Sequence, residues 1–377
     1  MIDVGWGLRI IAYFWPWLFT TMSTQFHSLK VTDLQRETEG CVSVAFEVPA
    51  ALQTQFQFAS GQYLTFKTII DGEEIRRSYS LCSAPHDNEW RVAIKQIPNG
   101  KFSSFANETL QIGATLEVMA PMGNFKFEPN PSAQNHYVLF AAGSGVTPIF
   151  SILKTILNAE PLSSVTLFYG NKGFAEVIFR EELEALKNRF LNRMNLVHVF
   201  SRENIGVPLL KGRIDAARTK DLLNAFLKNQ TINGAYICGP QDMILAVKDE
   251  LSTFGVAAKD IHFELFHAAP IAKAAEAKQD NIPAFESHIE LIMDGEVTNF
   301  YLSSDGPTIL DAAYKAGADA PFACKGGVCC TCKAKVLRGE VSMDVNYALT
   351  PEEVEQGYVL TCQAHPKSND ILISFDD

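Results

Sequence analysis

The sequence predicts a multidomain fold in three parts: an antiparallel β domain, an α/β domain on a parallel sheet, and a small α+β domain. Three observations carry this. Between Phe26 and Pro129, short alternating apolar runs are broken by proline and glycine. Between His136 and Phe266, apolar β runs alternate with helix-like segments, the layout of a parallel sheet with crossover helices. Beyond Ala284, Cys324, Cys329 and Cys332 are spaced C-x4-C-x2-C, and Cys362 stands further on. At 377 residues the chain has room for two or three domains of about 150 residues each.

Residues 1–23 read as an N-terminal extension outside the fold, with Met22 as the natural start. Leu8 to Met22 is apolar and aromatic. It is shorter than the ~20 residues a membrane span needs, Pro16 interrupts it, and it lacks a small-residue cleavage site. A short membrane-surface anchor is the alternative.

In the β domain, residues 24–131, the strands are Cys41–Val48, Tyr63–Lys67 and Trp90–Lys95, separated by Pro49, Asp71-Gly72 and Asn99-Gly100. Arg77-Ser78-Tyr79-Ser80 lies on a further strand, where alternation turns Arg77 and Tyr79 one way and Ser80 the other. In a flavin site such an Arg neutralises pyrophosphate, the Tyr lies against the isoalloxazine, and the Ser hydrogen-bonds near N5. Gly100-Lys101-Phe102-Ser103-Ser104 opens a helix whose free N–H groups suit a phosphate. Ser103 or Ser104 as a plain helix cap is the alternative. Lys95, just ahead of this turn, joins the candidate cofactor-binding residues.

In the α/β domain, residues 132–266, strands at Tyr137–Ala141, Val165–Tyr169, Leu196–Phe200 and Ala235–Cys238 alternate with helices near 148–158, 179–190, 219–228 and 241–254. Gly143-Ser-Gly145-Val146-Thr147-Pro148 links a buried strand to a helix. Its glycines allow a turn and close approach to a pyrophosphate, and Pro148 suits the first helical turn. Cys238-Gly239-Pro240 repeats the arrangement at a later strand end. Ser201-Arg202 follows another strand, and an Arg there can pair with a ribose 2′-phosphate, favouring NADPH over NADH. A solvated loop Arg is the alternative.

Residues 267–283, rich in Ala and Lys with two prolines, read as a linker. Residues 284–377 form the α+β domain, ending in the strand Ile371–Phe375. The cysteine spacing there is the plant-type [2Fe–2S] pattern. Four thiolates must converge on two irons, so three come from one tight loop and the fourth from a distant segment. Gly326 and Gly327 let the loop backbone turn its N–H groups towards the sulfurs. A zinc site pairs two short knuckles, and only one is present here. Cys330 is the spare thiol.

The formal charge of −11 argues against a nucleic-acid partner. Residues 284–377 hold 15 Asp and Glu against 6 Lys and Arg, so most of the excess lies there. The thiols fit a reducing cytoplasm. No Ser/His/Asp triad emerges, and the pair of E-x-x-H segments that a di-iron carboxylate site needs is missing, Glu264–His267 being a single one.

Residues 26–266 resemble the ferredoxin–NADP⁺ reductase superfamily, through Arg77-x-Tyr79-Ser80, Gly100-x-x-Ser103, Gly143-x-Gly145-x-x-Pro148, Cys238-Gly-Pro240 and Glu264-Leu-Phe266. Residues 284–377 resemble plant-type ferredoxins. Reductase followed by ferredoxin is the order of the multicomponent oxygenase reductases. Within them, Ala323–Cys332, Val336–Gly339, Asn346-Tyr347 and Gly357–Gln363 look most like the phenylacetyl-CoA epoxidase type.

The resemblance implies a β-barrel that binds FAD, a nucleotide domain that takes NADPH, and a β-grasp cluster domain. It places Ser80, Cys238 and Glu264 around the nicotinamide and flavin N5 as the catalytic set, and Phe266 as the aromatic beside the flavin. It also implies a route from NADPH to FAD, to the cluster, and on to a partner oxygenase, here a multisubunit di-iron phenylacetyl-CoA epoxidase. A steroid or aromatic-ring hydroxylase reductase, or a stand-alone diaphorase, is the alternative. The steroid type tends to carry an acidic residue where Gly326 or Gly327 stands.

Overall fold

The computed structural model describes residues 25–266 and 283–377. The extension through residue 23 and the linker up to residue 282 lie outside the described residues.

The first part contains β1 (Phe26–Thr38), β2 (Cys41–Glu47), β3 (Tyr63–Ile70), β4 (Glu73–Ser80), β5 (Trp90–Lys95), α1 (Lys101–Glu108) and β6 (Thr115–Met122). Its sheet is antiparallel, in the order β4-β3-β6-β1-β2-β5. The two ends meet just past β4, where Leu81 bridges Val92 and the Cys82 N–H donates to the Arg91 carbonyl at 2.8 Å. That contact closes the sheet into a barrel. Leu29, Val44, Leu64, Phe66 and Ile94 fill the interior, as period-2 alternation requires. In β3 the opposite face is buried as well. Tyr63 and Thr65 turn outward from the barrel and are covered by Thr331, from the far end of the chain.

The second part contains β7 (His136–Ala142), α2 (Val146–Ala159), β8 (Ser164–Asn171), α3 (Arg180–Arg189), β9 (Met194–Phe200), α4 (Ala216–Leu227), β10 (Gly234–Cys238), α5 (Gln241–Phe254) and β11 (Ile261–Glu264). All its strand pairs are parallel, in the order β11-β10-β7-β8-β9. The strands are apolar on both faces because α2 and α3 cover one and α4 and α5 the other. Strand order reverses between β7 and β10, so the crevice beyond their carboxyl ends is the expected ligand position. Helix α4 begins three residues earlier than expected, because the Asp215 carboxylate accepts the Arg218 N–H at 2.8 Å and caps it.

The third part contains β12 (Glu286–Met293), β13 (Glu296–Ser303), α6 (Ile309–Lys315), β14 (Lys333–Arg338), β15 (Val341–Met343), α7 (Pro351–Glu355), β16 (Tyr358–Leu360), β17 (Ala364–Pro366) and β18 (Asp370–Ser374). The order β13-β12-β18-β14-β16, with β12 and β18 parallel, makes a mixed sheet, and α6 buries Ile309, Leu310 and Ala313 against the same core. This is the β-grasp layout. Among the described residues no helix is long and apolar enough to cross a membrane.

Candidate functional site

A cavity of about 640 Å³ lies where the three parts meet. The barrel contributes Tyr63, Arg77, Tyr79, Ser80, Lys95 and the turn Gly100–Ser103. The nucleotide part contributes Ser144, Thr147 and the run Glu264–Phe266, and the cysteine loop contributes Ala323, Cys324, Gly326, Val328 and Cys329. A second cavity, about 420 Å³, lies between the barrel and α3 and holds none of the residues that the sequence singled out.

Strand β4 positions the first group. Tyr79 packs its ring 5.4 Å from Phe102 and 6.1 Å from Phe66, so the barrel core fixes its plane. Arg77 is exposed, and its Nη1 donates to the Arg76 carbonyl at 2.7 Å. Ser80, on the other face, donates its hydroxyl to Glu264 Oε2 at 3.1 Å. Burial pushes the Glu264 carboxyl up to about 8, and the Ser80 hydrogen bond only partly offsets it. Glu264 is therefore mostly protonated at neutral pH. Cys238 sits beside it in the β10–β11 register, fully buried, with burial pushing its thiol up. It is a neutral thiol behind the cavity wall.

The turn before α1 is built differently from the capped helix the sequence allowed. Gly100 is the cap residue and offers no side chain. Ser103 accepts the Ile97 N–H at 3.2 Å and donates to the Gly100 carbonyl at 3.0 Å, so its hydroxyl holds the turn. A Cβ on Gly100 would stand 2.4 Å from Ile97 Cγ1. Phe102 points into the barrel core, while Lys101 pairs with Glu73 at the cavity rim. Lys95 pairs with Glu176 at 3.3 Å, on the far side of the cleft.

Of the glycine turn, Ser144 and Thr147 line the cavity, whereas Val146 and Pro148 are buried beneath it. Thr147 donates its hydroxyl to the Ser144 carbonyl at 3.0 Å. Gly143 has φ +54°, which favours glycine. Gly145 lacks a side chain for a reason internal to the protein: its Cβ would stand 2.2 Å from the Cys238 carbonyl oxygen. Gly239 and Pro240 continue from that contact into α5. Ser201 and Arg202 lie apart from the cavity, at the end of β9. Their backbone N–H groups donate to Asn171 and Lys172, and the Arg202 side chain is exposed.

The four spaced cysteines form two pairs. Cys324 and Cys329 approach to 3.1 Å between sulfurs. Hydrogen bonding with Cys329, and the N–H groups of Gly326, Val328 and Cys329, lower Cys324 to about 6 against the opposing effect of burial. Hydrogen bonding with Cys332 holds Cys362 low in the same way, and each pair lies within electrostatic reach of the other. The partner in each pair is pushed the other way, Cys329 and Cys332 being raised by the same hydrogen bonds and by burial. Four converging thiols, with backbone N–H groups turned towards Cys324, fit an iron–sulfur cluster. Among the described residues, no group of three or more His, Cys, Asp or Glu closes into a single-ion cage. Gly327 has φ +71° and a Cβ there would stand 2.8 Å from Val345 Cγ2, so the loop requires glycine at that position. Cys330 turns away, its thiol 3.4 Å from the Ala348 carbonyl in the core.

Sequence reasoning missed Tyr63 and Ser144 as lining residues. Tyr63 was legible only as a strand residue, and nothing local says which wall it joins.

Three family descriptions match in chain order: an oxidoreductase FAD-binding domain at residues 28–127, an oxidoreductase NAD-binding domain at 139–249, and a 2Fe-2S iron-sulfur cluster binding domain at 292–367. The chain is 42% identical to a subunit of the 1,2-phenylacetyl-CoA epoxidase of Escherichia coli K12, covering 94% of this chain and 98% of that protein. It is 33% identical to the ferredoxin reductase component of 3-ketosteroid-9-alpha-monooxygenase from Rhodococcus rhodochrous, covering 92% and 96%. The solved structure of a phthalate dioxygenase reductase shares the fold at 22% identity and TM-score 0.56, covering 93% of this chain and 98% of that one. An NAD(P)H-dependent flavin and iron–sulfur oxidoreductase that hands electrons to an oxygenase is what such a cavity, walled by a cluster loop, supports. The chain belongs to the family of multicomponent-oxygenase reductases in which that component of 1,2-phenylacetyl-CoA epoxidase is found.

Proposed function

We propose that this chain takes electrons from NADPH and delivers them to a di-iron oxygenase that epoxidises phenylacetyl-CoA. The observation that carries the electron route is the cysteine loop forming one wall of the cavity that Tyr79 and Ser80 also line. The substrate assignment rests on the 42% identity to a component of phenylacetyl-CoA epoxidase over nearly the whole chain.

The domains are 24–131 for FAD, 132–266 for the nucleotide, 267–283 as linker and 284–377 for the cluster. When bound, NADPH supplies a hydride to FAD, and the [2Fe–2S] cluster takes the electrons one at a time. The chain's residues position these groups. Tyr79 offers a fixed aromatic face to the isoalloxazine. Arg77 and Lys101, with the uncapped N-terminus of α1 at Gly100, face the pyrophosphate, and the backbone at Phe102 and Ser103 completes that cradle. Lys95 stands beside the Gly143 turn, and Phe266 covers the ring edge.

Ser80 holds its proton on Glu264 Oε2. A carboxyl kept neutral there puts no negative charge beside a cofactor that gains electrons. Cys238 adds bulk without charge. The nucleotide lies on the turn from Gly143 through Gly145, Val146, Thr147 and Pro148, with Gly239-Pro240 opposite, and Ser201 and Arg202 meet the ribose 2′-phosphate. Cys324, Cys329, Cys332 and Cys362 would hold the cluster, and the approach of Cys324 to Cys329 and of Cys332 to Cys362 supports this set. A cytoplasmic location fits a cluster held by reduced thiols.

The test is an anaerobic titration of the holoprotein with NADPH, followed by addition of purified oxygenases and mass spectrometry of the product. Epoxidised phenylacetyl-CoA formed with a phenylacetyl-CoA oxygenase, and little product with a steroid or ring-hydroxylating oxygenase, is expected. The reverse preference contradicts the substrate assignment and leaves the electron route standing.

A further inference from the structure

Arg76 stands next to a candidate flavin ligand and points the opposite way, and the flavin chemistry has no use for it. Alternation along β4 sends Arg77 to the cavity and Arg76 outward from the barrel, yet the Arg76 side chain is only 1% exposed. What buries it is the cluster domain. Its Nη2 donates to Asp319 Oδ1 at 2.5 Å and to the Tyr314 hydroxyl at 3.0 Å, and its Nη1 donates to the Ala320 carbonyl at 3.4 Å. Its Nε donates to Glu74 on its own strand at 2.8 Å. The guanidinium also lies over the rings of Phe322 (4.6 Å), Phe26 (5.4 Å) and Tyr314 (5.8 Å). Planar donors and a weakly hydrated cation suit this mixed aromatic and carboxylate setting, and lysine would not replace them.

The same seam runs up to the cysteine loop. Phe322 is two residues from Cys324. The Tyr63 hydroxyl accepts the Cys330 N–H at 3.0 Å, and Thr65 meets Thr331 at 3.4 Å between hydroxyls. Cys324 and Cys329 pack with Tyr63, Met119 and Met122 of the barrel. On the other flank, Asn124 donates to the Ala348 carbonyl at 3.1 Å and to Glu353 at 2.6 Å. Arg76 is the buried charge in this seam, and its anchor residues lead directly into the loop.

We propose that Arg76, through Asp319 and the Phe322–Tyr314 aromatic pair, is a positioning residue that holds the cluster loop against the flavin cavity for the electron step between the two cofactors. One electron leaves the reduced flavin and one arrives at the cluster, with no bond made or broken, so separation and orientation set the rate. Hydride delivery to the flavin occurs on the nucleotide side of the cavity and does not involve this seam. Loss of the guanidinium leaves Asp319 and Glu74, which are 63% and 41% exposed, and water can serve both. The cost therefore falls on the docked geometry and not on a stranded buried charge.

The experiment compares full-length holoprotein with Arg76→Met, which keeps most of the apolar stem, and with Asp319→Asn, whose exposed site makes misfolding remote. Flavin content, cluster content and the reduced-cluster EPR line shape check that both cofactors are intact. Stopped-flow mixing with NADPH separates flavin reduction from cluster reduction. Amide hydrogen exchange over residues 319–331 reads the seam without reference to turnover. In Arg76→Met, flavin reduction at the wild-type rate, flavin-to-cluster transfer slowed several-fold, and faster exchange at Cys330 and Thr331 are expected, since a loosened seam lengthens the distance the electron crosses. Asp319→Asn should show the same pattern, weaker. Wild-type transfer and wild-type exchange in both variants would overturn the proposal. So would equal slowing of both steps in Asp319→Asn, which would make the contact a general structural one. Failure of the wild-type protein to reduce its cluster at all would instead count against the electron route itself.

Discussion

Cys330 is flanked by two ligand candidates and turns away from both, so the cluster assignment can be tested one thiol at a time. Replacing Cys324, Cys329, Cys332 or Cys362 by Ala should abolish the reduced-state EPR signal. Cys330→Ala should keep it, because that thiol faces the Ala348 carbonyl. Glu264 makes a second test. Its folded value near 8 lies above the ordinary 4.5, so the folded state keeps a proton that the unfolded chain loses. Stability from this group is fully present below 4.5 and declines as pH rises towards 8. Glu264→Gln keeps an acceptor for Ser80 but cannot ionise, so Tm should fall less steeply across that interval than in wild type. Parallel Tm curves would mean that Glu264 does not titrate as described. Arg202→Ala should raise KM for NADPH about ten- to a hundredfold and leave NADH nearly unchanged, if its charge reads the 2′-phosphate. Steady-state kinetics with both cofactors decides this. At this scale the residue types were legible because cysteine spacing and strand alternation are local patterns. Tyr63 and Arg76 were not, although two adjacent arginines on one strand must face opposite ways, and that signal was available.

Among the elements, the β7–α2 turn gives a glycine a second reason. The glycines were attributed to the turn and to close approach of a pyrophosphate, and Gly145 is also required by the Cys238 carbonyl, 2.2 Å from where its Cβ would be. Backbone cannot rotate aside as a side chain can. Gly145→Ala should therefore lower stability by about 1–3 kcal/mol, as overpacking does. Gly40→Ala, where nothing lies within 4 Å, should change stability by less than about 0.5 kcal/mol. Thermal unfolding of the two variants makes the comparison, and equal losses would contradict the crowding argument. The barrel strands and the alternating β and α segments were legible from period alone, because each buries its own face. The start of α4 was missed because its signal is the single capping side chain of Asp215, and barrel closure, which depends on the Leu81–Val92 bridge beyond the end of β4, was expected from the family resemblance and not from period.

For the whole molecule, the arrangement of the three parts was the least legible feature, since it depends on contacts such as Arg76–Asp319 between residues 243 positions apart. Charge at this scale does carry a forecast. Residues 284–377 hold 15 acids against 6 bases, and some acids are already paired, Asp311 with Lys325 and Glu353 with Lys333 among them. Exposed charge of one sign mainly steers encounter, so transfer to the oxygenase should slow as salt shortens the Debye length to about 8 Å and below. Flavin reduction at saturating NADPH should respond less. Stopped-flow rates for the two steps across a salt series check this, and the opposite ordering would exclude electrostatic docking through this domain. The central claim, that electrons reach the cluster by way of the flavin, is tested most directly by anaerobic rapid mixing of NADPH with holoprotein and with flavin-depleted protein. Flavin absorbance and freeze-quenched EPR are followed together. Bleaching of the flavin ahead of the cluster signal in the holoprotein, and no cluster signal without flavin, is the expected result. Cluster reduction at an undiminished rate in the flavin-depleted protein would contradict the account.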